Sequence, residues 1–272
     1  MKNLFLKTFF CMVLIMLIGC GKNNSAEEGK KQESNEKEKT KIVLAVRADG
    51  IDMAEAIRED VKKAGYELEI KTFDDSIQPN VALGEGSVDV NWFQHIPYLE
   101  NYNKSNGTDF VMAKPYTHYP LFAMYSNKHK KISEIPDGAT IGVCNDAANQ
   151  ARGLKMLRDY GLIELTEGVT SPTLLDISKN PKNLKLTALN SEQISPRLSE
   201  VALAIINTNN ALAGGITKDK VVFVEGKDSP YANIITVLKG NENDPRVQKL
   251  YKALQSEKVK KFIQEKYKDV II

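Results

Sequence analysis

The chain has 272 residues, of which 42% are hydrophobic and 26% charged, a composition that excludes collagen-like, wholly disordered and polytopic membrane proteins. Its 37 basic and 35 acidic side chains give a net charge of +2, which provides no electrostatic case for nucleic-acid binding. Three cysteines are too few for a disulfide scaffold, and the length suits two domains of ordinary size.

The first twenty residues have the pattern of an export signal. Their only charges are on Lys2 and Lys7, and an unbroken apolar run of ten residues follows at positions 9–18. A bilayer span needs about 20 apolar residues, whereas a basic start before a shorter run is typical of a secretory signal peptide. We therefore predict that residues 1–19 are a signal peptide.

The end of this run, Leu17-Ile18-Gly19-Cys20, resembles a bacterial lipobox. That resemblance implies cleavage before Cys20 and lipidation of its thiol, with acyl chains such as palmitate. The alternatives are a simple signal peptide with a chance cysteine, or an uncleaved anchor. Residues 21–40 contain five Lys, five Glu and a single apolar side chain, so we expect residues 20–40 to be the lipidated cysteine and a disordered tether.

Short strands and helices alternate along the first half of the remaining chain. Apolar or alternating runs predict the strands, and a helical period of apolar residues predicts the helices. The predicted strands are 41–46, 66–73, 88–91 and 110–113, and the predicted helices are 53–64, 81–84 and 96–104. This rhythm is typical of α/β units with parallel strands.

The second half repeats the same rhythm. The predicted strands are 139–143, 184–189, 202–206 and 232–238, and a helix is predicted over 147–160, where Gly161 ends it. A long amphipathic pattern over 244–267 predicts a final helix, broken near Ser256. The repeated rhythm therefore predicts two α/β lobes. No repeat of 20–50 residues, which would indicate a repeat architecture, is visible.

Polar residues that directly follow predicted strands are the candidates for a functional site. In α/β lobes the carboxyl ends of the strands point to a shared crevice, and ligands bind there. The polar segments in such places are 91–95, 116–118, 145–152, 207–209 and 229–233.

Several kinds of chemistry are excluded by spacing. The Gly84-Glu85-Gly86 sequence lacks the third glycine of a dinucleotide site, and no Walker lysine motif is present. His95, His118 and Cys144 lack the close spacing of metal ligands, and no nucleophile-elbow motif occurs. We therefore expect no metal, no cofactor and no thiol catalysis.

The 145–152 segment suits the recognition of an anion. Asp146 is placed to cap the helix that follows, and helix N-termini favour negative charge. Arg152, about one turn later, could pair bidentately with a carboxylate; the alternative is a solvated surface arginine. Trp92 and Phe93 are open to two interpretations as well: core packing, or an aromatic wall for an apolar ligand side chain.

Five motifs, in order along the chain, resemble those of the NlpA family, the MetQ-type methionine-binding lipoproteins of ABC importers. The matching segments are Asn91-Trp92-Phe93-Gln94-His95-Ile96-Pro97-Tyr98-Leu99, Asn145-Asp146-x-x-Asn149-x-x-Arg152, Asn180-Pro181-Lys182-Asn183-Leu184-Lys185, Pro196-Arg197 followed by Ile206-Asn207-Thr208, and Ser229-Pro230-Tyr231-Ala232-Asn233. The resemblance covers residues 17–20 and 41–272. The departures are Cys144 and Ala147, where proline is common in the family, and Trp92, where a less bulky residue is usual.

The resemblance implies an α/β, two-lobed type II periplasmic-binding-protein fold with a ligand cleft between the lobes. We expect residues 41–125 and 226–272 to form the first lobe and residues 126–225 the second. The two segments that cross between the lobes are predicted near 121–126 and 224–230.

The same resemblance implies the site residues. Arg152 is expected to bind the carboxylate of an amino-acid ligand, with Asn149, Asn207 and Asn233 at its amino and carboxyl groups. The residues expected to line the side-chain pocket are Phe93, Gln94, His95, Tyr98, Tyr116 and His118.

The function implied is that of an extracytoplasmic substrate-binding lipoprotein, which captures L-methionine and delivers it to an ABC permease and its ATPase. The resemblance thus implies a protein that is not an enzyme and has no catalytic residue. Another amino acid, D-methionine, a methionine-containing dipeptide, or an adhesin-like surface role on the same fold is the alternative. We expect a monomer held at the outer face of the cell membrane by the lipid on Cys20 alone.

Overall fold

The structure, a computed structural model, describes residues 40–118, 121–225 and 231–266. The predicted signal peptide, Cys20 and the tether up to residue 39 lie outside the described residues. Within the described ranges the chain forms two five-stranded sheets and one two-stranded sheet. No helix in these ranges is long and apolar enough to span a membrane.

The strands in the described ranges are numbered in chain order. They are β1 (Lys41–Arg47), β2 (Glu67–Phe73), β3 (Val90–Asn91), β4 (Val111–His118), β5 (Phe122–Tyr125), β6 (Thr140–Cys144), β7 (Glu164–Leu165), β8 (Ile177–Lys179), β9 (Lys185–Leu189), β10 (Leu203–Asn207), β11 (Val221–Val224) and β12 (Asn233–Val237).

The α-helices are numbered in the same way. They are α1 (Ile51–Ala56), α2 (Arg58–Lys63), α3 (Gln78–Gly84), α4 (Ile96–Asn106), α5 (Ala147–Asp159), α6 (Ser191–Ile194), α7 (Thr208–Ala213), α8 (Pro245–Leu254) and α9 (Glu257–Lys266). A 3-10 turn at Ala48–Gly50 connects β1 to α1.

The first sheet has the strand order β2-β1-β3-β12-β4. β1 is parallel to β2 and β3, while β12 is antiparallel to β3 and β4. The near-continuous apolar sequence of β1 is explained by burial on both faces, because Ile42, Leu44 and Val46 enter one core cluster while Ala45 enters another. We call this sheet, with α1–α4, α8 and α9, the first lobe.

The second sheet has the order β11-β5-β10-β6-β9. β6 is parallel to β9 and β10, and β5 is antiparallel to β10 and β11. Its centre is β10, where residues Leu203 to Ile206 are fully buried in a separate core cluster. We call this sheet, with α5–α7, the second lobe.

Parallel pairing, as predicted from the strand–helix rhythm, is present in both sheets, but each sheet also takes in antiparallel strands. The chain passes from β4 of the first sheet to β5 of the second, and returns from β11 to β12. The predicted crossing near 121–126 therefore contains β5, a buried strand of the second sheet. The predicted lobe boundaries at 125 and 225 stay predictions, and residues 119–120 and 226–230 lie outside the described ranges.

Most helix predictions are confirmed, with local corrections. The helix predicted over 53–64 is divided at Ile57 into α1 and α2. The break predicted near Ser256 is present, since α8 ends at Leu254 and α9 begins at Glu257. The polar segment at 207–209, for which no helix was predicted, begins α7: the helix starts at Thr208, and Asn207 is at its N-terminal cap position.

Candidate functional site

A cleft lies where the carboxyl ends of strands from both lobes meet. Helix α4 of the first lobe contacts α5 of the second, and α7 of the second contacts the 3-10 turn at 48–50. A cavity of about 30 Å³ lies at this junction, lined by Arg47, Ser76, Phe93, Gln94, His95, Tyr98, Asn149, Ser191, Asn207 and Asn210. Such a volume holds about two water molecules, so an amino-acid ligand enters only when the lobes or the lining side chains move apart.

A chain of hydrogen bonds crosses the cleft floor from α5 to α4. Asp146 caps α5 by accepting a bond from the Asn149 backbone N–H at 2.9 Å, and its other carboxylate oxygen accepts from Asn149 Nδ2 at 3.1 Å. Asn149 Oδ1 lies 3.1 Å from Nε2 of His95 in the first lobe. His95 Nδ1 in turn accepts the backbone N–H of Tyr98 at 3.2 Å, which caps α4. This amide–imidazole contact is one of the links between the two lobes.

These bonds fix the protonation of His95. Because Nδ1 accepts from a backbone N–H, the ring proton lies on Nε2, from which it is donated to Asn149. Burial, together with the nearby positive charge of Arg152, lowers the pKa of His95 to about 3. The imidazole is therefore neutral at physiological pH. Burial also raises the pKa of Asp146.

Arg152 is buried, with 2% of its surface exposed, so the interpretation as a solvated surface arginine is wrong. Its guanidinium lies between two rings, with the carbon 4.6 Å from the centre of Phe122 and 4.1 Å from that of Tyr231. Nε lies 3.0 Å from both carboxylate oxygens of Glu225, and Nη2 donates to one of them. The planar cation is therefore held by stacking and by a charge-assisted fork.

Glu225 is fixed in its turn by the second sheet. Its backbone N–H donates to the carbonyl of Phe122 at 2.8 Å, directly after β11. We expected Arg152 to pair with the carboxylate of a ligand. In the structure it pairs instead with Glu225, a carboxylate of the chain itself. Sequence reasoning missed Glu225, since nothing in its local pattern distinguishes it from other acidic residues.

Asn207 and Asn233 approach the cleft from different lobes. Asn207 ends β10, and its Oδ1 is buried without a hydrogen-bond partner among the described residues. Asn233 begins β12 and is 4% exposed; its backbone bridges to His95 and pairs with His118 in β4. A buried acceptor without a donor is costly, so Asn207 is well suited to a ligand that brings an N–H group.

Aromatic rings surround the first-lobe side of the cavity. The rings of Phe93 and Tyr98 meet edge to face with centres 5.8 Å apart, and His95 meets Tyr231 in the same way at 5.0 Å. The Tyr98 hydroxyl donates to the backbone carbonyl of Ser76 at 2.7 Å, and burial raises its pKa. The cavity therefore has an apolar wall, and the Tyr98 hydroxyl on that wall already has a hydrogen-bond partner.

Trp92 belongs mainly to the core. It is 3% exposed, lies in the first-lobe core cluster, and donates its indole N–H to Thr117 Oγ1 at 2.6 Å. This favours the core-packing interpretation over an aromatic wall. The side chains of Tyr116 and His118 lie outside the described part of the structure; their backbone is part of β4.

Gln94 borders the cavity, but its amide is engaged on the other side. Its Nε2 donates to Asn80 Oδ1 at 2.8 Å and lies 2.9 Å from Asn91 Oδ1 and 3.2 Å from Thr236 Oγ1, while its Oε1 accepts from Asn80. All four residues are buried and all belong to the first lobe. We call Asn80, Asn91, Gln94 and Thr236 the amide cluster.

A second arginine at the cleft was not among the predicted site residues. Arg47 ends β1, and its guanidinium donates to Ser76 Oγ and to Glu192 at 2.6 Å each and to Asn210. The sequence feature that could have identified Arg47 is its position at the end of a buried strand, where a polar residue faces the crevice. Among the described residues no group of His, Cys, Asp and Glu could hold a metal ion.

Two α/β lobes, joined by two crossings of the chain between their sheets and meeting at a polar cleft, define a type II periplasmic-binding-protein fold. The chain belongs to the NlpA lipoprotein family, whose sequence profile matches residues 40–272. This confirms the resemblance found in the sequence, and with it the expectation of a substrate-binding protein rather than an enzyme.

Individual relatives agree with this family assignment. The chain is 36% identical to the methionine-binding lipoprotein MetQ of Bacillus subtilis (strain 168), covering 100% of this chain and 98% of the relative. A nutrient binding protein from Burkholderia cenocepacia bound to methionine superposes with a TM-score of 0.82 at 36% identity, covering 85% of this chain and 98% of that one. An ABC transporter, periplasmic substrate-binding protein from Coxiella burnetii gives 0.81 at 35%, covering 85% and 99%.

Proposed function

We propose that this protein captures L-methionine at the outer face of the cell membrane and delivers it to an ABC permease driven by an ATPase. The observation that carries the proposal is a buried arginine placed beside an aromatic-lined cavity. Arg152 is held flat between Phe122 and Tyr231, and Tyr231 also contacts His95, which lines the cavity with Phe93, Tyr98, Asn149 and Asn207.

The polar side of the cleft suits the two charges of an amino acid. A zwitterion taken out of water needs a partner for each charge. Arg152 lies in the second turn of α5, close to the helix N-terminus, where a carboxylate is favoured. Asn207 Oδ1 offers an acceptor to the ammonium group. We propose that Asn149, Asn207 and Asn233 complete this head-group site.

The apolar side of the cleft suits a thioether. Sulfur beside an aromatic ring gains about 0.3–1.5 kcal/mol, and the site offers ring edges from Phe93, Tyr98 and Tyr231. The amide of Gln94 is already satisfied within the first lobe, so it brings no unfilled polar group to this wall. We propose that Phe93, His95 and Tyr98 contact the ligand side chain, together with Tyr116 and His118 from the segment implied by the family resemblance.

Calorimetry on protein stripped of ligand by unfolding and refolding tests the proposal. L-methionine and selenomethionine should bind, and L-glutamate should not, because an extra buried charge without a partner costs several kcal/mol. Tighter binding of D-methionine or of a methionine dipeptide would replace L-methionine as the ligand. Absence of binding by every one of these would overturn the amino-acid assignment itself.

Attachment to the membrane is a separate part of the proposal and rests on the lipobox around Cys20. Replacement Cys20→Ser should abolish incorporation of radiolabelled lipid and release the protein from the membrane, while affinity for L-methionine stays unchanged. Labelled lipid that persists on the Cys20→Ser variant would contradict the assignment.

A further inference from the structure

Arg47 is the centre of a polar cluster that the head-group site does not use. Nη1 donates to Ser76 Oγ and to Glu192 Oε1, both at 2.6 Å, and Nη2 donates to Asn210 Oδ1. Nε donates to Asp49 at 3.2 Å, and Ser76 Oγ also donates to the same Glu192 oxygen, at 2.7 Å. Each nitrogen of the guanidinium therefore has a defined acceptor.

The members of this cluster come from opposite sides of the cleft. Arg47 ends β1 and Ser76 lies between β2 and α3, both in the first lobe, whereas Glu192 is in α6 and Asn210 in α7 of the second. Arg47 is 145 residues from Glu192 and 163 from Asn210 in the sequence. The bonds from Arg47 to the second lobe can therefore exist only while the lobes are together.

The burial of this ion pair places it between two energetic extremes. The side chains of Arg47 and Glu192 are 13% and 24% exposed. A fully exposed pair contributes little because water screens it, and a fully buried pair loses much of its gain to desolvation. The Arg47–Glu192 pair is partly buried, and its two side chains also form hydrogen bonds with Ser76 and Asn210. It therefore keeps several charge-assisted bonds without losing all of its contact with water.

We propose that Arg47, which lines the edge of the cavity, and Glu192 are positioning residues: they lock the two lobes together and thereby set the affinity for the ligand. For the effect on affinity, this inference rests on the proposed function. A ligand that binds between the lobes is held more tightly when closure is favoured, because the free energy of closure is part of the free energy of binding.

Titration of L-methionine into the Arg47→Gln and Glu192→Gln variants tests the effect on affinity. Each change should weaken binding about tenfold, and the double variant should also be weaker by about tenfold rather than a hundredfold, because the two residues act as one pair. The matched control is Arg58→Gln, which breaks the pair between Arg58 and Glu55 inside the first lobe and should leave affinity unchanged. Single losses below about threefold, or losses that multiply in the double variant, contradict the lock.

A second measurement needs no ligand and separates the lock from the proposed function. Spectroscopic labels, incorporated as unnatural amino acids at the exposed positions Glu85 and Glu167, report the distance between the lobes in the full-length chain. In stripped protein the Arg47→Gln variant should shift the distance distribution toward longer values, and Arg58→Gln should not. An unchanged distribution overturns the lock, even if affinity falls. Failure of wild-type protein to bind L-methionine would overturn the proposed function and leave this test intact.

Discussion

Gln94 and His95 are neighbours in the chain, yet their side chains enter two polar clusters of opposite character. Gln94 is the centre of the amide cluster, where its amide bonds Asn80, Asn91 and Thr236 inside the first lobe and Asn91 also donates to Asn80. His95 joins Asn149 across the cleft, where the partners belong to different lobes. Both clusters are buried, and both consist of polar residues near strand ends.

The difference teaches how to separate a structural polar cluster from a binding one. In the amide cluster most donors and acceptors find their partners within one lobe, so its bonds persist whether the lobes are open or closed. In the cleft cluster the bonds cross between the lobes, and Asn207 keeps a buried acceptor without a partner among the described residues. Loss of a residue from the first cluster should therefore change stability, and loss from the second should change binding.

Arg152 is the strongest test of this division, because it belongs to the cleft yet is only 2% exposed. Replacement Arg152→Ala leaves the Glu225 carboxylate without its fork, which should lower the free energy of unfolding by about 3–5 kcal/mol and abolish binding of L-methionine. Urea unfolding and calorimetry measure the two effects.

A matched control for this variant lies on the same helix. Arg158→Ala removes an exposed arginine of α5 and should change stability by less than about 0.5 kcal/mol. The paired substitution Arg152→Leu with Glu225→Leu should recover much of the stability without recovering binding. Recovery of binding in that double variant would show that Arg152 does not meet the ligand.

Gln94 tests the structural side of the comparison. Replacement Gln94→Ala leaves Asn80 Nδ2 and Asn91 Oδ1 without their bonds to Gln94, which should lower the free energy of unfolding by about 2–4 kcal/mol. Affinity for L-methionine should change by less than about threefold, since the bonds that are lost lie within one lobe. Exposed Gln78, on the same helix as Asn80, provides the control variant Gln78→Ala. A large loss of affinity with little loss of stability would move Gln94 into the binding site.

The sequence alone located the cleft-facing segments because the carboxyl ends of strands can be read from local patterns. Burial on both faces made β1 and β10 visible as apolar runs, and the polar residues after them led to Asn207. Asp146 as the cap of α5 was predicted from the same local logic. Strand β5 was missed as a strand because its partners, β10 and β11, follow much later in the chain.

The partners of the two cleft arginines could not be predicted in this way. Glu225 lies 73 residues from Arg152, and Glu192 lies 145 residues from Arg47. Which acidic side chain meets which arginine depends on how β11 lies beside β5 and how the lobes close, and neither leaves a periodic signal in the sequence. The same holds for Gln94 and His95, whose divergent roles depend on whether Asn80 or Asn149 is within reach.

The buried imidazole of His95 predicts a pH dependence of stability. Its pKa of about 3 in the folded chain lies below the ordinary 6.5, so the unfolded chain binds the proton more readily. The contribution of His95 to the free energy of unfolding is therefore complete above about pH 6.5 and is lost as the pH falls toward 3. Between pH 7 and pH 5 the loss amounts to about 2 kcal/mol. Protonation would also set an N–H on Nδ1 against the backbone N–H of Tyr98.

The variant His95→Gln isolates this effect from the other titrating groups near the cleft. Asp146 acts with the opposite sign, because its raised pKa lets the folded chain take up a proton first. The difference between wild type and His95→Gln in urea unfolding at pH 7 and pH 5 should therefore equal the histidine contribution, and His129→Gln should reproduce the wild type. Equal pH slopes for wild type and His95→Gln would show that His95 titrates normally in the folded chain.

Asn207 gives the smallest and most diagnostic effect, because stability and binding should move in opposite directions. Its Oδ1 is buried without a partner among the described residues, so Asn207→Ala removes an unsatisfied acceptor and should raise the free energy of unfolding by up to about 1 kcal/mol. If that oxygen accepts the ligand ammonium, affinity for L-methionine should fall about tenfold to a hundredfold, since a hydrogen bond to a charged group contributes about 1.5–3 kcal/mol. Thermal unfolding with and without ligand measures both, and exposed Asn106 on α4 serves as the control. A variant that loses stability and keeps its affinity would place Asn207 with the amide cluster, as a structural residue at the edge of the cleft.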